Sequence, residues 1–103
     1  MLSFLKKLFG GNNAELENAI NGGAFLVDVR TPGEFRSGSV KGAVNIPLNT
    51  LQSNLAKFKN KKSVVVFCAS GMRSSQAKGI LTRNGVANVY NGGAWHKVNR
   101  LKK

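Results

Sequence analysis

Apolar positions along the chain switch repeatedly between helical and extended spacing, and this alternation predicts an α/β fold. Short apolar runs indicate buried strands, while the segments between them carry apolar residues every three or four positions, as one face of a helix does. The predicted strands are Ala24–Val29, Ala43–Ile46, Ser63–Cys68 and Val86–Tyr90. Because strands that alternate with helices over short connections form parallel sheets, we expect a central parallel sheet covered by helices on both faces.

The predicted helices are marked by capping residues and by apolar faces. Thr31 is an N-cap candidate, with Pro32 at the first helical position and Glu34 at the third, so a short helix is expected to end near Gly38. A later helix is expected to begin near Ser74. The other helices are indicated by Asn12, Glu15, Leu16, Ala19 and Ile20; by Leu48, Leu51, Leu55 and Phe58; by Ala77, Ile80 and Leu81; and by Trp95 in a basic C-terminal helix after Gly92-Gly93.

Residues 1–11 are a short basic and apolar segment that precedes the single domain expected over residues 12–103. Leu2, Leu5 and Phe9 recur at helical spacing beside lysines, a pattern compatible with contact to an anionic membrane surface. Because so short a segment binds membranes only marginally, a helix or arm packed on its own domain is the favoured interpretation. The segment lacks the long apolar region and cleavage site of a signal peptide, so we expect it to be retained.

The charge of the chain is strongly one-signed. Lysine and arginine number 16 against four acidic residues, which gives a formal net charge of +12. The acids all precede Phe35 and are Glu15, Glu17, Asp28 and Glu34. Such a field attracts anions of every class, including small oxyanions, acidic proteins, nucleic acid and acidic lipids. A non-catalytic basic module that binds nucleic acid or another anionic partner is therefore one candidate function, although no base-stacking motif supports it and no nucleic acid is expected.

Cys68, the only cysteine, lies where the apolar run Val64–Phe67 meets a loop that contains Gly71. A lone cysteine fits a reducing compartment, and no apolar stretch reaches the roughly 20 residues that span a bilayer, so we expect a soluble cytoplasmic protein without a membrane span. Ligands of open parallel sheets bind beyond the carboxyl ends of the strands, and Cys68 is predicted to lie at such an end.

The surroundings predicted for Cys68 favour a nucleophilic thiolate. Loop amides, the N-terminus of the following helix and Arg73 all stabilise negative charge, so we expect the pKa of the thiol to lie below its ordinary value. Such a thiolate can carry a group covalently between two reactants. The alternative interpretation is that Cys68 is only a small apolar residue that completes its strand.

Four short motifs follow one another along the chain. They are Asp28-Val29-Arg30 with Glu34-Phe35, the run Gly42–Leu48, the run Cys68–Ser74, and Tyr90-Asn91-Gly92-Gly93 with Trp95. As an ordered set they resemble the single-domain rhodanese family. The resemblance implies a rhodanese-like three-layer α/β fold with a central parallel sheet of four to five strands, although the usual first edge strand is hard to place. The chain departs from the family pattern at Ser39, where histidine is usual.

The resemblance implies a sulfurtransferase. The Cys68 thiolate would take the outer sulfur of thiosulfate or another small anionic sulfur donor, hold it as a persulfide, and pass it to cyanide, a thiol or a protein. No cofactor or metal ion is expected. The sulfur would be cradled by the amides of Ala69, Ser70, Gly71, Met72, Arg73 and Ser74. Arg73 would also bind the oxyanion end of the donor.

Related domains in the cell-cycle dual-specificity phosphatases are similar in fold but have a longer loop between cysteine and arginine. Here only Ala69 to Met72 separate Cys68 from Arg73. A shorter loop encloses a smaller cradle, which suits a sulfur atom better than a tetrahedral phosphate. Phosphatase or arsenate reductase activity is therefore the lesser alternative.

The remaining polar residues are expected to support the site or to cover the surface. Asp28, Arg30 and Glu34 are predicted to support it, with an ion pair between Arg30 and Glu34. The lysine-rich stretch 57–62 is expected to be a solvated face, with a docking patch for an acidic protein partner as the alternative. The same expectation covers the tail residues Lys97, Arg100, Lys102 and Lys103.

Overall fold

A computed structural model describes residues 13–103, which are built around one parallel sheet. The elements in chain order are α1 (Asn13–Asn21), β1 (Phe25–Asp28), α2 (Pro32–Ser37), β2 (Val44–Asn45), a 3-10 segment (Leu48–Phe58), β3 (Val64–Cys68), α3 (Met72–Arg83), β4 (Val89–Ala94) and α4 (Trp95–Leu101). The strands lie in the order β2-β1-β3-β4, and each neighbouring pair is parallel. The predicted α/β class is confirmed.

The strand β3 is buried along its whole length. Alternate side chains of a strand face opposite sides of the sheet. Val64, Val66 and Cys68 therefore join one core with the 3-10 segment and α3, whereas Val65 and Phe67 join a second core with α1 and α4. Helices thus cover both faces of the sheet, as the apolar pattern predicts.

The capping signals predicted for α2 are present. The Thr31 hydroxyl accepts a hydrogen bond from the Glu34 backbone N–H over 3.2 Å, and the Glu34 carboxylate accepts one from the Thr31 N–H over 3.1 Å. Pro32 is the first residue of the helix, and Gly38 follows its last turn. This reciprocal pair of bonds satisfies two backbone N–H groups near the start of α2 and fixes where the helix begins.

The last strand lies further along the chain than its apolar pattern predicts. The apolar pattern predicts Val86–Tyr90, whereas β4 spans Val89–Ala94, so Gly92 and Gly93 lie inside the strand and not in a linker. Val86 packs against the core from the turn that precedes β4. Its apolar character reflects this packing, and it therefore gives a false strand signal.

Two helical segments also differ from their predictions. The segment Leu48–Phe58 has 3-10 geometry and is interrupted at Asn54, whose φ of −120° and ψ of 21° are not helical. The helix α3 begins at Met72 and not near Ser74, because Gly71 adopts a left-handed φ of 103° and the chain becomes helical directly after it. The first turn of α3 therefore forms part of the loop that follows the cysteine.

Several predictions fall on residues outside the described range. These are the basic segment 1–11, the Asn12 cap and the place of a further edge strand. Over residues 13–103, the sheet has four strands. The domain boundaries 1–11 and 12–103 stay a prediction. No helix within the described residues is long and apolar enough to cross a membrane.

Gly92 provides a test of the packing between β4 and its neighbours. We expect Gly92→Ala to lower the free energy of unfolding by about 1–3 kcal/mol, because the added Cβ would lie 2.6 Å from Val98 Cγ2 and 3.1 Å from Val65 Cγ1. Gly33→Ala is the control, since nothing lies within 4 Å of a Cβ there. It should leave the free energy unchanged or raise it by up to about 1 kcal/mol. Urea unfolding measures both, and equal stability of the two variants would contradict this packing.

Candidate active site

The sulfur of Cys68 is enclosed at the carboxyl end of β3. The residue is 1% exposed, and two backbone amides point at its Sγ. The N–H of Gly71 donates to Sγ over 3.0 Å, and the N–H of Ser74 donates over 3.4 Å. The left-handed backbone of Gly71, which a residue with a side chain rarely adopts, turns the loop back toward the sulfur. The loop thus directs N–H donors at a single sulfur atom.

Ser74 connects Cys68 with Asn91. Its buried hydroxyl oxygen lies 3.5 Å from Sγ, 3.1 Å from the Gly71 carbonyl oxygen and 2.6 Å from Asn91 Oδ1, which also accepts from the Gly93 N–H over 2.9 Å. A hydroxyl carries one proton, so it can donate to Asn91 while the thiol is protonated and must turn toward Sγ to stabilise a thiolate. After such a turn the Gly93 amide still satisfies Asn91 Oδ1.

The hydrogen bonds around Sγ determine the acidity of the thiol. Burial raises the pKa of Cys68, but the Ser74 hydroxyl and the amides of Ser74, Gly71 and Ser70 together lower it more. The net result is a pKa below the ordinary value of a cysteine, so the thiolate is more populated near neutral pH than in a free cysteine. This direction agrees with the expectation from the sequence.

Not all of the six amides predicted to form the cradle reach the sulfur. The amides of Gly71 and Ser74 do so directly, and Ser70 contributes to the lowered pKa. Within the described residues, no hydrogen bond joins the amides of Ala69, Met72 or Arg73 to Sγ. The amides of these three residues remain candidates for contact with a second sulfur atom.

Arg73 forms a two-point ion pair with Glu34. Nη1 and Oε1 lie 2.7 Å apart, and Nη2 and Oε2 lie 3.0 Å apart. Glu34 also accepts hydrogen bonds from the N–H and hydroxyl of Thr31. The hydrogen bonds from Arg73 and Thr31 lower the pKa of Glu34 to about 2. The predicted pair between Arg30 and Glu34 is therefore wrong, since the Glu34 carboxylate faces the cysteine loop.

Arg30 pairs instead with the buried Asp28. Its Nη2 lies 2.8 Å from Oδ2 of Asp28, and its Nε and backbone N–H donate to the same carboxylate. The Ser39 hydroxyl donates to Oδ2 over 2.7 Å, so the residue that replaces the usual histidine still supplies a hydrogen bond. The guanidinium carbon of Arg30 lies 5.1 Å from the centre of the Trp95 ring. This network secures the turn between β1 and α2, which carries Glu34.

An open pocket of about 540 Å³ lies beside the cysteine loop. Its lining includes Ser70, Gly71, Met72, Asn91, Gly93 and Lys97. Three of these, Asn91, Gly93 and Lys97, are not among the site residues predicted from the sequence. The glycine motif that contains Asn91 offered a signal for it. Lys97 offered none, because its place at the pocket depends on how α4 packs after β4.

Comparison with known proteins identifies related sequences and structures. A family model described as a rhodanese-like domain matches residues 12–97. The uncharacterized protein YqhL of Bacillus subtilis is 40% identical over 68 residues, which cover 66% of this chain and 54% of YqhL. The thiosulfate sulfurtransferase PspE of Escherichia coli is 39% identical over 69 residues, which cover 65% of this chain and 66% of PspE. The chain thus spans between about half and two thirds of the length of these relatives.

A solved structure shows the same fold. A rhodanese with anions from E. coli matches with a TM-score of 0.65 and 36% identity, over 71% of this chain and 88% of that one. Other relatives are tRNA uridine(34) hydroxylases, of which the matched region covers only 23–28%. The shared part is therefore one domain of those longer proteins.

Substitution of Ser74 tests the origin of the lowered thiol pKa. We expect Ser74→Ala to raise the pKa of Cys68, because the variant loses the hydroxyl that contributes most to the lowering. The measurement is the pH dependence of alkylation by iodoacetamide, whose midpoint follows thiolate formation. Ser75→Ala is the control, since Ser75 is exposed and does not contribute to the shift. An unchanged midpoint in Ser74→Ala would show that the hydroxyl does not act on the sulfur.

Titration of Glu34 tests its pair with Arg73. Carboxyl carbon NMR should give a midpoint near pH 2 for Glu34, and Arg73→Met should move that midpoint up toward about 4.3. Because the folded-state pKa is lowered, the stability contributed by the pair is fully present above the unfolded-state pKa and is lost as the pH falls toward 2. Arg36→Met removes an exposed charge from α2 as the control. Equal midpoints in the wild type and Arg73→Met would exclude the pair in solution.

Proposed function

The chain belongs to the rhodanese-like domain family, and on this basis we propose that it is a rhodanese-type sulfurtransferase in which Cys68 carries the sulfur. The observation that supports the proposal most directly is the arrangement of the Gly71 amide, the Ser74 amide and the Ser74 hydroxyl around one buried sulfur. Donors arranged in this way favour an anionic sulfur. Cysteine attacks as the anion, and an ionised persulfide carries the same charge.

In the first half of the proposed reaction, the Cys68 thiolate attacks the outer sulfur of thiosulfate. A bond forms between Sγ and the outer sulfur, the sulfur–sulfur bond of thiosulfate breaks, and sulfite leaves with the electron pair. Cys68 then holds an ionised persulfide, so no proton is gained or lost in the step. The lowered pKa of Cys68 raises the fraction of enzyme that can react in this way.

In the second half of the reaction, a thiophilic acceptor attacks the outer sulfur of the persulfide. With cyanide, a carbon–sulfur bond forms, the persulfide bond breaks, and thiocyanate leaves while Cys68 returns to the thiolate. A thiolate acceptor takes the sulfur in the same way and becomes a persulfide itself. Because Cys68 is the only cysteine in these 103 residues, the acceptor must lie outside them.

The loop residues have distinct proposed parts. The amides of Gly71 and Ser74 hold Sγ, and the other loop amides would receive the outer sulfur of the persulfide. Arg73 is occupied by Glu34, so its proposed part is to anchor the first turn of α3 to α2. Direct contact between Arg73 and the oxyanion of the donor stays a prediction, and the ion pair counts against it.

Sulfur loading provides the test of the proposed function. Incubation with thiosulfate should add about 32 Da to the intact protein, the mass of one sulfur atom, and cyanide should then remove it as thiocyanate. Cys68→Ser should show neither the added mass nor turnover.

The proposal fails if thiosulfate, polysulfide and an alkyl hydropersulfide all leave the mass of the wild type unchanged. A non-catalytic basic module would instead show nucleic-acid binding that weakens with salt and is unaffected by Cys68→Ser.

A further inference from the structure

Lys97 places a positive charge at the pocket beside the cysteine loop. It lies near the start of α4, where the chain turns from β4 into the helix. Lys97 is partly buried, whereas His96, Asn99 and Arg100 of the same helix are exposed. Partial burial holds the alkyl stem of a lysine against the protein while its ammonium remains at the solvent edge. The side chain is therefore more restricted than that of a lysine on a solvated face.

The pairing of the acidic residues leaves the charge of Lys97 uncompensated. No acidic residue lines the pocket. Within the described residues the ion pairs are Asp28 with Arg30, Glu34 with Arg73, and Glu17 with Lys103. Arg73 follows the pocket residue Met72 in the chain. Its guanidinium is already paired with the Glu34 carboxylate. An anion that enters the pocket therefore meets Lys97 as an unpaired cation.

Resting on the sulfurtransferase function proposed above, we propose that Lys97 binds the oxyanion end of a small anionic sulfur donor of the thiosulfate type. An ammonium group forms short, charge-assisted hydrogen bonds to such oxygens without the planar geometry that a guanidinium requires. The pocket volume of about 540 Å³ is ample for an anion of this size. Lys97 thus takes the part that the family resemblance implies for Arg73.

The chemistry of the transfer step explains why this charge selects between donors. When thiosulfate reacts, a bond forms to Cys68 Sγ, the donor's sulfur–sulfur bond breaks, and sulfite leaves with the electron pair, so negative charge grows on the oxyanion end. An alkyl hydropersulfide reacts by the same bond changes but releases an alkyl thiolate and has no oxyanion. A cation at the oxyanion site therefore stabilises the reaction of the first donor and contributes little to the second.

Thiosulfate binding without chemistry is the first measurement. In the Cys68→Ser background, which has no thiol to react, we expect Lys97→Gln to weaken thiosulfate binding by about five- to tenfold in a calorimetric titration. Lys97→Arg keeps the charge and should remain within about threefold of the parent. Lys62→Gln is the matched control, since it removes the same charge from an exposed residue. Lys62 precedes the amino end of β3, whereas Cys68 is at the carboxyl end, so the substitution should leave thiosulfate binding within about twofold.

Sulfur loading of the reactive protein is the second measurement. With Cys68 present, Lys97→Gln should slow loading by thiosulfate at low donor concentration by about five- to tenfold, while loading by an alkyl hydropersulfide, which has no oxyanion end, should change by less than about twofold. Mass spectrometry follows the sulfur added to Cys68 in both cases.

The two measurements separate the failure of this inference from that of the function. If Lys97→Gln binds thiosulfate as the parent does while both donors still load Cys68, the role of Lys97 is overturned and the sulfurtransferase function stands. Equal slowing of both donors would also overturn the role as an oxyanion site. If neither donor loads the wild type, the function itself is overturned, and this inference with it.

Discussion

Burial of β3 on both faces is the constraint on which the rest of the structure depends. Its alternating side chains enter two separate cores, and the last of them, Cys68, faces α3 at the carboxyl edge of the sheet. Because the chain must leave this edge and enter α3 within a few residues, the loop is tight and its amides turn inward. The same packing that stabilises the sheet therefore places the Cys68 sulfur among its hydrogen-bond donors.

The scarcity of acidic residues determines how the electrostatics of the site are arranged. Asp28 holds the turn before α2, Glu34 ties α2 to the first turn of α3, and Glu17 holds the C-terminus against α1. Three of the four acidic side chains thus form ion pairs that hold parts of the fold together, and none of the four lines the pocket. A chain with a formal net charge of +12 can therefore stabilise its fold with ion pairs and still present positive charge to an anion.

Local patterns predicted much of the fold. The strands β1 and β3, the capping box of α2 and the position of Cys68 at a strand end follow from apolar runs and short-range capping signals, which act within a few residues. The last strand lies further along the chain than its apolar pattern predicts. Val86 gives a false strand signal because it packs against the core from the turn that precedes β4. Glycine has a low strand propensity, so Gly92 and Gly93 gave no local signal for β4. Gly92 is required there by packing, because a side chain at this position would not fit against Val98.

By itself, the sequence determined the fold class, the residue proposed to carry the chemistry and the sign of the surrounding charge. Only the tertiary structure decided which partners the polar groups find. Glu34 meets Arg73 and not Arg30, Ser39 reaches Asp28, and Lys97 comes to the pocket. The physical reason is the separation along the chain of the residues that interact. Apolar periodicity and capping are set by residues close in sequence, whereas these ion pairs and contacts depend on which elements distant in sequence pack together.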